Sequence, residues 1–86
     1  MHRFITFIFV NGTERSYSLP HLLWQHLETD QFMELGFTTA IVGLRGQDLG
    51  SLFQRIANRT TLEIIAVPRC HATGEPAVFD IEVRPL

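Results

Sequence analysis

Apolar and polar positions change period several times along the chain, and each change predicts a different element. Phe4-Ile5-Thr6-Phe7-Ile8-Phe9-Val10 is rich in aromatic and β-branched residues, Asn11-Gly12 is a strong hairpin-turn pair, and Thr13 to Leu19 alternates. This predicts a β-hairpin. With a two-residue turn, Val10 faces Thr13, Ile8 faces Arg15, Thr6 faces Tyr17 and Phe4 faces Leu19. Tyr17 and Leu19 then share the Phe4/Ile8/Val10 face, and Ile5, Phe7 and Phe9 form the other. A strand apolar on both faces is expected to be central and covered on both sides, by helices or by a partner chain. Ile5, Phe7 and Phe9 are the candidate interface residues.

Beyond the hairpin the period lengthens. Ser18 is placed to cap a helix over Leu19 to Glu28 with Pro20 in its first turn. At about 100° per residue, Leu19, Leu22, Leu23, His26 and Leu27 occupy one face, with Trp24 on its flank. After a break at Thr29-Asp30, Asp30 caps a short helical turn from Gln31 to Leu35 that Gly36 ends. Phe37 to Val42 reads as a third strand and Gly43-Leu44-Arg45-Gly46 as a loop. Leu49, Leu52, Phe53 and Ile56 follow at helical spacing, and Asn58 suits the helix end. Leu62 to Val67 supplies a fourth strand, Pro68 to Pro76 a loop, and Ala77 to Val83 a last strand alternating Phe79, Ile81 and Val83 against Asp80 and Glu82. The expected fold is α+β: a single-domain sandwich over residues 1–86, order ββα(α)βαββ, with a mixed sheet and two main helices.

Composition narrows the chemistry. Nine acids against seven bases give a formal charge of −2, so nothing global attracts the chain to a nucleic-acid backbone or an anionic membrane. Every base is arginine. Without lysine there is no Schiff base, lysine general base or Walker-type phosphate lysine. The one cysteine, Cys70, has no internal disulfide partner, which suits a reducing cytoplasm. The apolar start is broken by Thr6 and runs into Asn11-Gly12-Thr13-Glu14-Arg15, which is unlike a signal peptide, and no stretch has the length of a membrane span. The triplets at Asn11 and Asn58 read as a turn and a helix end rather than glycosylation sites.

Each candidate for chemistry has a structural reading beside it. Gly43-x-x-Gly46 just before a helix N-terminus is a geometry for an anion, with Arg45 as an added contact; equally, such a turn needs glycine for positive φ. Arg55 and Arg59, one turn apart, together with Arg45 and Arg69 are a possible phosphate-binding patch or simply a solvated face. His26 on the apolar helix face reads as a core histidine held by a carbonyl. His21, five residues away, is wrongly spaced to share a metal with it. Cys70 and His71 are adjacent and point opposite ways in extended chain, so with Glu75 they do not form a catalytic set. Asp80 and Glu82 are explained by surface alternation.

The stretch Ile41-Val42-Gly43-Leu44-Arg45-Gly46-Gln47-Asp48-Leu49, followed by helix, strand, loop and strand up to Val83, resembles the core of a KH domain. That resemblance covers residues 41–83 and implies a GxxG loop that clamps single-stranded nucleic acid through Gly43, Leu44, Arg45 and Gly46. The opening hairpin then helix is also similar to β-grasp (ubiquitin-like) domains, a likeness of topology that carries no function. The expectation for the whole chain is a non-enzymatic, cytoplasmic binding module without cofactor or metal. Its partner is a protein or a second copy, as in a homodimer; the alternative is single-stranded nucleic-acid or phosphate-ligand binding through Gly43 to Gly46.

Overall fold

A computed structural model of the chain describes residues 3–60, 62–68 and 76–86. The opening hairpin pairs β1 (Phe4–Ile8) with β2 (Glu14–Ser18) antiparallel. Its loop has three residues, not two. The Phe9 amide donates to the Thr13 carbonyl at 2.8 Å and the Gly12 amide to the Phe9 carbonyl at 2.9 Å, while Gly12 sits at φ +89. A three-residue loop ending in a left-handed glycine is the next commonest hairpin geometry after the two-residue turn. It moves the register by one, pairing Ile5 with Tyr17 and Thr6 with Ser16. One residue of slip exchanges the faces. Tyr17 therefore joins Ile5 and Phe7, stacking on Phe37 with ring centroids 4.6 Å apart and meeting Phe7 edge-on.

The predicted helix over Leu19 to Glu28 does not form. Leu19–His21 is a single 3-10 turn around Pro20, and β3 (Leu22–Thr29) follows as a strand. It pairs antiparallel with β4 (Phe32–Phe37), which replaces the predicted helical turn over Gln31 to Leu35. The reason is a bulge: Leu22 faces Phe37 and Trp24 faces Gly36, so Leu23 is an extra residue and stands 65% exposed. Past it, Gln25 and Leu27 turn inward opposite Leu35 and Met33. Of the face that reads as helical, Leu22 and Leu27 turn inward while Leu23 and His26 turn outward, so the strand does not keep the helical period.

After a two-residue connection at Thr38-Thr39, β5 (Ala40–Gln47) pairs with β4 on one side and with β7 (Ala77–Pro85) on the other. This corrects two further expectations: the third strand is cut at Thr38-Thr39, and Gly43 to Gly46 is strand rather than loop. The helix at Asp48 does form, as α1 (Leu49–Ala57), and presents Leu49, Leu52 and Ile56 to the core. Its C-cap is Asn58. Then β6 (Glu63–Ile65) lies parallel to β1.

Among the described residues the strands form two sheets, β2-β1-β6 and β3-β4-β5-β7, joined by a parallel bridge between Ala66 and Val78. Between them lies a core of Ile5, Phe7, Met33, Leu35, Phe37, Val42, Leu44 and the apolar face of α1, which packs against β3 and β4. The two-helix α+β sandwich is therefore overturned. The described residues make a mostly β protein of two sheets with a single α-helix of nine residues. No helix among them is long and apolar enough to cross a membrane.

Candidate functional site

The Gly43-Leu44-Arg45-Gly46 stretch lacks the loop that the phosphate reading needs. Gly43 and Leu44 pair with Glu34 and Met33 on one side and with Glu82 and Ile81 on the other. In a strand held on both sides the amides are committed to the ladder, not offered to an anion. Leu44 is fully buried. Gly46 serves packing: a Cβ there would meet the Ala77 carbonyl oxygen at 1.9 Å. At Gly43 to Gly46 a paired strand stands where the KH-like clamp would need a loop.

The arginines are separated as well. Arg45 emerges on the outer face of the four-stranded sheet with its guanidinium 4.7 Å from the centroid of the Phe32 ring. Arg55 and Arg59 stand at the end of α1, which packs on the inner side. Arg69, Cys70, His71 and Glu75 lie outside the described residues. His26 is not a core histidine: it is exposed, with Nε2 3.5 Å from a Glu28 carboxylate oxygen. His21 is exposed at the end of the 3-10 turn, and Asp80 and Glu82 are exposed on β7. Among the described residues no three His, Cys, Asp or Glu side chains gather as a metal would require.

The outer face of the four-stranded sheet carries a shallow hollow of about 180 Å³ lined by Phe32, Glu34, Gly43, Arg45, Glu82 and Arg84. One pair of its opposite charges is joined, with Arg84 donating to Glu34. Beside it the Trp24 ring lies on Gly36, where a Cβ would come within 2.0 Å of the indole.

The candidate interface residues also change. Ile5 and Phe7 are wholly inside the chain's own core, and Phe9 packs against it. The open face of β1 is the other one. Phe4 is 53% exposed, Ile8 is half-buried, and Ile65, directly opposite Ile8 on β6, is 50% exposed. Thr6 lies between Phe4 and Ile8 on this face, its hydroxyl 2.8 Å from that of Ser16. Leu62 just before β6 and Val10 in the hairpin loop are exposed too. Thr6 is the signal that could have identified the wet face, because the opposite row, Ile5-Phe7-Phe9, has no polar member.

Compared with protein-family models, with curated proteins and with solved structures, the chain finds no match.

Proposed function

We propose that this protein is a binding module, not an enzyme, that works by protein–protein association, with a second copy of the chain as the partner. The association surface is the outer face of the three-stranded sheet. One observation carries the reading: Phe4, Ile8 and Ile65 lie on one face of neighbouring strands with no layer of described residues over them, whereas Ile5 and Phe7 on the other face of β1 are completely covered. Burying the exposed half of a large apolar side chain contributes about 1 kcal/mol. Several such contributions on one rigid surface, doubled by two-fold symmetry, are the usual source of a small homodimer. Ser16, Thr6 and Glu63 form a polar row across the sheet between Phe4 and the Ile8–Ile65 pair, so the face offers hydrogen-bonding groups beside its apolar ones, as interfaces do.

Size-exclusion chromatography with light scattering, over a micromolar concentration series, tests this. The wild type is expected to pass from monomer to dimer, and Phe4→Ser or Ile65→Ser to weaken the association at least about tenfold, equivalent to about 1.4 kcal/mol. Both side chains are half exposed, so the variants remain folded. A strictly monomeric wild type, or variants that dimerise as well as it does, would overturn the reading.

A further inference from the structure

A second hollow, of about 370 Å³, opens at the end of the three-stranded sheet away from the hairpin loop, lined by Arg3, Leu19, Pro20 and Arg59. We propose that it is an anion site that takes the phosphate group of a small ligand between the Arg3 and Arg59 guanidinium groups. This surface is distinct from the association face, and the proposal stands apart from it.

The local chain geometry explains how two arginines far apart in sequence meet. Arg3 precedes β1 and continues the inward row of Ile5 and Phe7 by one step, while its carbonyl accepts the Leu19 amide at 2.9 Å. The parallel register that sets Thr6 against Glu63, followed back by three residues, brings Arg3 opposite the end of α1, where Arg59 stands. Glu63 faces the other side of the sheet with Thr6. Among the described residues no carboxylate lines the hollow, so two arginines share it in a chain that is negative as a whole. Arginine forks match the oxygen pairs of a phosphate, and Leu19 and Pro20 offer an apolar wall for the rest of the ligand.

Arg59 is also an unusual choice for its backbone position. The helix ends with the Arg59 amide donating to the Ile56 carbonyl and the Thr60 amide to the Arg55 carbonyl, at 3.1 and 2.9 Å, with Arg59 at φ 59. Glycine ordinarily fills this left-handed position, and a side chain there is strained. The side chain spends one donor on the Ile56 carbonyl, Nη1 at 2.8 Å, and among the described residues its other donors are left for a ligand. A nucleic-acid strand needs a track of cations along successive phosphates, which two arginines do not provide, so a small phosphorylated molecule is the ligand class.

The test is an NMR titration of the intact 86-residue chain with inorganic pyrophosphate, against sodium chloride of matched ionic strength. Saturable shifts at the Leu19, Arg59 and Thr60 amides are expected with pyrophosphate only. Arg3→Gln should weaken binding about tenfold. Arg59→Gly should do the same while the helix end, now carrying its usual residue, stays formed; Arg45→Gln, on the distant sheet face, should change nothing. The proposal is overturned by equal shifts in chloride, by an equal loss in Arg45→Gln, by either hollow variant binding as the wild type does, or by an oligothymidylate binding where pyrophosphate does not.

Discussion

Three glycines in the four-stranded sheet show how one hydrogen in place of a methyl group decides local structure. At Gly36 a Cβ would collide with the Trp24 ring, and at Gly46 with the Ala77 carbonyl, so both positions exclude side chains. At Gly43 the nearest atom would be Phe32 Cε1 at an ordinary 3.5 Å. Gly36→Ala is therefore expected to destabilise by about 1–3 kcal/mol, because the indole must leave the sheet. Gly43→Ala is expected to be neutral or stabilising by about 0.5–1 kcal/mol, through the lower entropy of the unfolded chain. Urea titration followed by Trp24 emission measures both: Gly36→Ala should also shift the native emission to the red, and equal stability for the two variants would refute the packing argument. None of this was legible in the sequence, where Gly36 reads as a helix stop and Gly43 and Gly46 read as a loop. A glycine signals that something needs room and does not say what.

At the scale of elements, α1 is capped by a residue from another element. Asp48, the N-cap by position, is left-handed at φ 53 and makes no side-chain cap. Asp30, in the turn between β3 and β4, accepts the Leu49 amide on its carbonyl at 2.9 Å and the Gly50 amide on its carboxylate at 3.2 Å. Hairpin and helix start are thereby tied together, and the negative charge also suits the helix dipole. Asp30→Ala should cost about 1 kcal/mol, a fall of about 4–8 °C in melting temperature for a domain of this size. Asp48→Ala should have a much smaller effect; the reverse ranking in thermal melts would contradict the assignment. The sequence did mark Asp30 as a helix cap, but for the wrong helix, because capping chemistry is visible locally and the helix it serves is not. Likewise Leu19, Leu22, Leu23, His26 and Leu27 read as one helical face although Leu23, at the bulge, and His26 point outward from a strand, and Thr38-Thr39 carries none of the residues that announce a tight turn.

For the whole molecule, the joint between the sheets is narrow. Ala66 donates to the Ile8 carbonyl and Val67 to the Val78 carbonyl, each at 2.8 Å, and among the described residues Ala66 with Val78 is the one bridge between the two sheets. Yet both sheets and α1 share a single core. If that core makes unfolding cooperative, the Ala66 and Val67 amides should exchange with deuterium as slowly as Val42 and Leu44. Markedly faster exchange at the joint would show instead that the three-stranded sheet opens as a separate unit.

Where side-chain pattern and backbone preference agreed over a short span, the amino-acid order was sufficient by itself: the Asn11-Gly12 hairpin, the amphipathic helix from Leu49 and the alternating last strand all form. These elements depend on contacts with near neighbours or on one simple period. Tertiary structure alone decided the rest. It made Leu22 to Thr29 a strand because β4 supplies its hydrogen-bond partners, and it brought Tyr17 onto the inward Ile5–Phe7 face by adding one residue to a loop. It also brought Arg3 beside Arg59. The physical reason is common to all three: pairing between distant segments determines which face of a strand meets water, and a single-residue shift in that pairing inverts every side chain along it.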